Sequence, residues 1–221
     1  LYPVVQGYRT STAFGYRVNL SDPLQLNRAS ITASYSPSRG LSGEEALHLD
    51  AEYQRYDWRG RARWNGADFY DLFGPTKTSR KGYLLEGGHR STLIFDDPRR
   101  LDLDVSGSVA GLLDRLPEYQ NVAVAVDRLA TLQARLLYGD VRRSLGAVDE
   151  ESGPRWSAVV GGEYVDGITV PKVSGTYDRG FLLPFGHSSI WVRSSAGFSP
   201  HDPAEPFANF YFGAFGNNYV D

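Results

Sequence analysis

The sequence predicts an all-β protein, an antiparallel, up-and-down transmembrane β-barrel present as an incomplete fragment of about eleven strands. Three observations carry this prediction. Apolar and polar residues alternate over long segments, and short connections alternate with long ones along the chain. No window approaches the roughly 18 apolar residues of a membrane helix. Residues 1–221 are interpreted as one partial outer-membrane barrel domain.

Composition agrees with a strand-rich chain and excludes several function classes. The chain contains 24 glycines and 14 tyrosines, which favour turns and strands over helices. Its net charge of −3 gives no basic excess for nucleic acid. Cysteine is absent, so the sequence offers no disulfide framework, thiol nucleophile or cysteine-based metal site.

Alternation is clearest in four segments, of which LHLDAEYQRY is typical: leucine, alanine and tyrosine share one face, and charged or amide residues share the other. The four segments are 28–36, 47–56, 101–112 and 132–138. The polar residues expected to face the barrel lumen are His48, Asp50, Glu52, Gln54, Asp102, Asp104, Gln133 and Arg135. Less regular strand signals lie at 13–20, 61–65, 82–95, 156–164, 173–183, 188–198 and 207–215.

Aromatic residues stand near the ends of the predicted strands, where membrane barrels carry girdles at the two membrane interfaces. They are Tyr35, Tyr56, Trp64, Tyr83, Tyr138 and Trp156.

The connections fall into two classes that alternate along the chain. The short ones are rich in Asp, Pro and Gly and lie at 21–23, 57–60, 96–98, 151–154 and 184–186. The long ones lie at 37–45, 65–81, 113–121, 165–172 and 199–206. Alternate links of an up-and-down sheet lie at the same end, so the pattern predicts short periplasmic turns and long external loops.

The longest predicted loop, 65–81, is rich in aromatic and basic residues. We expect its rings to fold over the barrel mouth or to lie in the headgroup layer, and its cations to meet anionic lipid heads or line the entrance. A self-packed surface loop that binds no ligand is the simpler interpretation. The residues concerned are Phe69, Tyr70, Phe73, Lys77, Arg80 and Lys81.

A soluble β-sandwich or β-barrel also alternates its two faces and is an open alternative. The composition of the faces favours the membrane. The apolar faces are rich in small residues and tyrosine and lack the dense Ile, Val and Phe of a compact core. The opposite faces carry charged and amide residues over long strands, as a polar lumen would.

No catalytic constellation is visible, and the sequence predicts a protein that is not an enzyme and uses no metal or cofactor. The His-Glu-x-x-His and Gly-x-Ser-x-Gly motifs are absent. His48, Asp50 and Glu52 lie on one strand face and could resemble a metal or acid/base cluster, but a hydrated lumen lining is favoured. An outer-membrane hydrolase, with activity lost on substituting His48 or His89, is the second hypothesis, and a soluble β-rich binding module is the third.

Several motifs resemble a bacterial family: LSDPLQLNRASITASYSP, YDWRGRARWNGADFYDLFGPTKTSRKGY, DDPRRLDLDVSG, LDRLPEYQNV and FGAFGNNYVD. Over nearly the whole chain they are similar to the C-terminal barrel of the surface-antigen type that follows TolB-like β-propeller repeats. That barrel is akin to those of outer-membrane assembly factors and two-partner secretion pores. The resemblance implies the outer membrane of a Gram-negative-type bacterium, and a role in polypeptide insertion, translocation or the anchoring of a soluble domain.

The resemblance also implies binding partners, and the sequence departs from the family pattern at one motif. The expected partners are the lipid bilayer, lipopolysaccharide, and further strands with a periplasmic domain of the same longer chain, but not nucleic acid. Arg179-Gly180-Phe181 matches the lumen-loop motif of relatives in its letters but lies within a strand candidate. The segment after Pro200 is the better place for a lumen-inserted element. Because bacterial barrels use an even number of strands, we expect a fragment whose sheet is curled and incompletely closed.

Overall fold

The structure is a computed structural model that describes residues 1–9, 11–37, 39–69, 81–113, 126–165, 167–202 and 204–210. Within them lie eleven strands and two 3₁₀ helices, Gly43–Glu45 and Pro206–Ala208. The strands are β1 (Tyr2–Tyr8), β2 (Ser11–Ser21), β3 (Asn27–Tyr35), β4 (Leu47–Arg55), β5 (Trp58–Trp64), β6 (Tyr83–Asp96), β7 (Arg99–Gly111), β8 (Arg128–Asp140), β9 (Gly153–Val165), β10 (Ile168–Leu182) and β11 (Ser189–Phe198).

All eleven strands form one antiparallel sheet in which each strand pairs with its neighbours in sequence. The predicted all-β, up-and-down architecture is therefore confirmed. Among the described residues no pairing joins β1 to β11, so the sheet is not closed into a barrel.

Cross-strand register gives the sheet two unlike faces. Ala33 stands opposite Leu49 and Ile31 opposite Ala51, while Thr32 stands opposite Asp50 between them. Because side chains alternate with a period of two, this register gathers apolar residues on one face and polar residues on the other. We call these the apolar face and the polar face. A one-residue slip of any strand would exchange them.

The strand assignments differ from the sequence expectations at the two ends of the chain. β1 has the sequence YPVVQGY, which does not alternate, and its pairing with β2 makes it a strand. The expected strand 207–215 is wrong at its start, where Pro206–Ala208 is a 3₁₀ helix, and from residue 211 onward it lies outside the described residues. The eleven strands of the described residues therefore include β1, which was not expected, and do not include the expected strand 207–215.

The connections also depart from strict alternation. Links 9–10, 36–46, 65–82, 112–127 and 166–167 leave one end of the sheet, which we call the loop end. Links 22–26, 56–57, 97–98, 141–152 and 183–188 leave the other, the turn end. The expectation of a long link at 165–172 is wrong, because β9 ends at Val165 and β10 already begins at Ile168. The expectation of a short turn at 151–154 is wrong as well, because residues 151–152 end the longer link 141–152 and residues 153–154 begin β9.

The sheet curls strongly, with the polar face inside. The rings of Tyr8 in β1 and His48 in β4 lie 4.5 Å apart between centroids. Three strand spacings would separate the backbones of β1 and β4 by about 14 Å in a flat sheet. Both side chains belong to the polar face, so that face is concave.

Two segments cover the concave face at the loop end. The backbone of Asp68, after β5, forms reciprocal hydrogen bonds of 2.6 and 2.9 Å with Gly7 of β1. The chain after β11 folds back, and the Ser199 hydroxyl donates to the Pro171 carbonyl at 2.9 Å. Phe207 is thereby buried. It packs in an apolar cluster with Leu84, Ala110, Val126, Leu129, Val165, Val170 and Ala208.

Candidate membrane interface and polar interior

The apolar face is exposed. Ile31, Leu85, Leu132 and Val160 expose 48%, 55%, 66% and 61% of their surface. Strand pairing connects these residues from β3 to β9 without a break. Soluble monomers rarely expose a contiguous apolar surface of such extent.

The polar face is the better buried of the two. Thr32, Ser34, His48, Asp102 and Ser106 are all buried, although each is polar or charged. This reverses the arrangement of a soluble protein, in which charged residues are almost never buried unless they are paired.

Exposed aromatic residues gather near both ends of the sheet. Near the turn end they are Tyr53, Tyr56, Trp58, Phe95, Tyr177 and Phe181, and near the loop end Phe14, Tyr35, Tyr164 and Phe198. Of the residues expected to form girdles, Tyr35 and Tyr56 are exposed. Trp64, Tyr83, Tyr138 and Trp156 are half-buried, and the last two stack with centroids 5.4 Å apart.

All eight expected lumen residues lie on the polar face, and several are held in ion pairs. The Asp50 carboxylate accepts from the Arg61 guanidinium at 2.6 Å, and Glu52 lies 3.4 Å from Arg61 Nε. Gln133 donates to Ser106 Oγ at 3.3 Å. Gln54 is exposed, and Arg135 stands opposite Asp104 in the register of β7 and β8.

Asp102 is the most fully satisfied acid of this face. Its side chain is buried and accepts hydrogen bonds from Arg90 at 2.6 Å, Arg100 at 2.8 Å and the Thr92 hydroxyl at 2.7 Å. Charged hydrogen bonds of this kind offset the cost of removing a carboxylate from water. The acid is therefore built into the sheet and is not left free for proton transfer.

Arg59 and Asp104 form a bidentate pair, with both nitrogen–oxygen distances 2.7 Å, although β6 lies between their strands. The Arg59 side chain crosses β6 at Gly88. A Cβ atom at Gly88 would lie 2.8 Å from Arg59 Cζ. The absence of a side chain at Gly88 is what lets this ion pair form.

His48 lies in a buried cluster at the loop end. Its Nδ1 is 2.7 Å from the carbonyl of Asn65, which can only accept, so in the neutral ring Nδ1 carries the proton. Nε2 then accepts from the Ser36 hydroxyl at 2.8 Å. Ser36 and His48 are 1% and 2% exposed, so a substrate cannot reach them in this arrangement. His89 lies on the apolar face against Trp58 and cannot share a site with His48.

The partners of His48 escaped the sequence reasoning. Ser36 and Asn65 come from two separate links, and the Asn65 amide also donates to the carbonyls of Glu44 and Leu47. No sequence pattern relates the two links to each other, so their meeting at His48 was not predictable.

Two of the expected external-loop residues can be placed. Phe69 is exposed, and Lys81 Nζ lies 3.5 Å from the buried carboxylate of Glu45. Lys81 is therefore engaged in an ion pair within the protein. Tyr70, Phe73, Lys77 and Arg80 lie outside the described residues.

Comparison with known proteins identifies no family for this chain. No protein-family model matches the chain, and neither the curated proteins nor the solved structures give a match. Among the described residues, no helix has the length and apolar character needed to span a membrane. The same residues contain no group of three or more His, Asp or Glu side chains arranged to hold a metal ion.

Proposed function

We propose that this chain is a segment of a bacterial outer-membrane β-barrel, with its apolar face toward lipid and its polar face toward the interior. The observation that carries the proposal is the reversal of burial across the sheet. Leu132 is 66% exposed on one face, while Asp102 on the other is 3% exposed and bound by two arginines. A lipid environment makes both stable, because it solvates the apolar face and the curled sheet encloses the charges.

Strand length supports the same proposal. β6 to β10 contain 13 to 15 residues each. At about 3.4 Å per residue and a tilt of about 45°, such strands rise roughly 30 Å, the thickness of the hydrocarbon layer.

The role we propose for the barrel is insertion or translocation of polypeptides, or anchoring of a periplasmic domain of the same longer chain. The support is the likeness of its loop and turn motifs to surface-antigen barrels. Deletion of the barrel segment from the parent protein in its bacterium tests whether the barrel inserts other proteins or anchors its own chain. A fall in the outer-membrane amounts of other barrels supports insertion. Loss of membrane attachment by the protein's own periplasmic domain alone supports anchoring.

Adjacent residues of β8 test the orientation of the sheet. Leu132→Arg places a charge on the apolar face near the middle of the strand and should cost about 2 to 4 kcal/mol of folding free energy in a bilayer. Gln133→Arg places the same charge on the polar face and should cost much less. Urea unfolding in lipid vesicles measures both. Equal losses for the two variants would refute the lipid-facing assignment.

The soluble alternative has a separate test. A β-rich soluble module should give a monodisperse, folded chain in buffer without detergent or lipid. The membrane proposal expects folded sheet, measured by circular dichroism, only when detergent or lipid is present.

A further inference from the structure

A cavity of about 460 Å³ opens on the apolar face at the turn end. It lies where β8 ends, β9 begins and β10 ends, and its wall includes Asp140, Arg142, Arg179, Phe181 and Leu182. Arg179 stands opposite Pro154 of β9, and Arg142 forms a β-bridge with Ser152, so pairing of the strands fixes both positions. The cavity belongs to the face that we assign to lipid, at the level of the exposed aromatic residues.

Two cations of this cavity lack an acidic partner. Neither Arg142 nor Arg179 forms an ion pair with a carboxylate of the described residues, and both are exposed. The Arg179 guanidinium lies 5.9 Å from the ring centre of Phe181. Guanidinium groups bind phosphate through paired, charge-assisted hydrogen bonds, so the two together suit a phosphodiester.

One oxygen of the acid in this cavity lacks a hydrogen-bond donor. Asp140 Oδ1 is buried and has no hydrogen-bond partner among the described residues. Arg99 stands opposite Asp140 in the register of β7 and β8, but its guanidinium binds Asp96 instead. A buried carboxylate oxygen without a donor is costly, and a cationic N–H donor would remove that cost.

Apolar side chains flank the charged wall. Phe181 and Leu182 are exposed beside it, and Leu145 and Phe185, in the neighbouring links 141–152 and 183–188, are exposed as well. A ligand that binds here therefore combines an anion, a cationic donor and apolar chains.

We propose that this cavity binds the headgroup of a phosphatidylethanolamine-type lipid, a proposal that rests on the proposed function. The phosphate is held by Arg142 and Arg179, and the primary ammonium donates to Asp140. The acyl chains follow the apolar face past Phe181 and Leu182. A trimethylammonium headgroup fits less well because it has no N–H to donate.

Native mass spectrometry tests the proposal. The parent protein is released from micelles that contain equal amounts of phosphatidylethanolamine, phosphatidylglycerol and phosphatidylcholine, and the retained lipids are counted. Wild type should retain phosphatidylethanolamine about tenfold over phosphatidylcholine, the ratio expected for one charge-assisted hydrogen bond. Equal retention of these two lipids would overturn the proposal.

Three variants test the roles that we propose for Arg142, Arg179 and Asp140. Arg142→Gln with Arg179→Gln should abolish selective retention of any phospholipid. Asp140→Asn should keep phospholipid bound but bring the ratio of ethanolamine to choline lipid close to one. Arg55→Gln is the matched control, because Arg55 is also an exposed arginine at the turn end of the apolar face, and it should behave as wild type. Unchanged lipid selectivity in the double variant would refute the site.

Two further outcomes distinguish the headgroup site from a site for a water-soluble ligand and from failure of the membrane assignment. Soluble O-phosphoethanolamine in excess should not displace the lipid, and displacement would mean that the site serves a water-soluble ligand. A chain that folds in buffer without detergent would refute the proposed function itself. A chain that needs detergent but retains the three lipids equally would refute only the headgroup site.

Discussion

At the scale of single residues, the polar face is held together by charges that satisfy one another across strands. Asp102 accepts from two arginines and a threonine, and Lys172 Nζ lies 3.4 Å from Glu163 Oε1 on the neighbouring strand. Arg100 lies on the same strand as Asp102, and the other pairs join strands that are already hydrogen-bonded. The Arg59–Asp104 pair is different, because it skips one strand and therefore fixes local curvature.

Gly88 provides a test of that pair. Gly88→Leu fills the space over which Arg59 passes and should break its contact with Asp104. We expect a loss of about 1 kcal/mol, the upper range for a partly exposed ion pair. Gly87→Leu is the control, because Gly87 points to the other face and its Cβ would meet nothing within 4 Å.

Unfolding by urea in vesicles measures both glycine variants. If Gly88→Leu were as stable as Gly87→Leu, and removal of Arg59 were additive with removal of Asp104, the pair would contribute nothing to stability.

The sequence predicted which face a residue of a regular strand lies on, but it did not predict the contacts of residues in the links. The placement of His48, Asp50 and Glu52 on one face follows from the two-residue period alone. The burial of His48 against Tyr8 and Ser36 does not, because it depends on how far the sheet curls and on where a distant link folds.

At the scale of elements, the largest error concerns β9 and β10. The sequence predicted a long link over 165–172, yet residues 168–172, including Pro171, lie within β10. Val165 pairs with Ile168, and in this register the backbone nitrogen of Pro171 points away from β9. β11 first pairs with β10 at Val173. No described strand lies where the missing N–H would point, so the proline breaks no ladder bond. The Asp-Gly pair at this turn was the signal that would have corrected the interpretation.

The links 141–152 and 183–188 are joined by side chains at the turn end. Glu151 accepts from the Ser144 backbone N–H at 2.8 Å and from the Ser144 hydroxyl, and its Oε1 lies 3.3 Å from His187 Nδ1. The bonds from Ser144, with a smaller contribution from His187, lower the pKa of the Glu151 carboxyl below its usual range.

This lowered pKa predicts a pH dependence. A carboxylate with a lowered folded-state pKa stabilises the protein above its ordinary pKa of about 4.3 and loses that effect as the pH falls through the folded value. Glu151→Gln should therefore destabilise the protein at pH 7, and the difference from wild type should shrink below about pH 4. Urea midpoints across this range measure it. A difference that stayed constant with pH would exclude the charge of Glu151 as the cause.

At the scale of the whole molecule, the sheet curls without closing. The curl was predictable from alternation and strand length, because a sheet whose apolar face meets lipid, as we propose, must turn its polar face inward. The order of the strands followed from the short links. How far the curl proceeds was not predictable, because it depends on contacts such as Tyr8 with His48 and Asp68 with Gly7.

The open sheet predicts the behaviour of the 221-residue chain in micelles. Unpaired backbone groups in an apolar environment cost several kcal/mol each. The chain should therefore associate through its edges and give no compact, heat-modifiable monomer on a gel. A heat-modifiable monomer with a steady single-channel conductance would show that the strands close on themselves.

The bridge between Gly7 and Asp68 makes the two edges of the sheet unequal. In β1, Pro3, Val5 and Gly7 direct their backbone groups away from β2. Gly7 is occupied by Asp68 and Pro3 has no N–H, which leaves Val5 as the one intact donor on that edge of the described sheet. β11 carries no proline, and no described strand lies on its far side. We therefore expect an added strand to pair with β11 more readily than with β1, because β1 offers fewer free backbone groups.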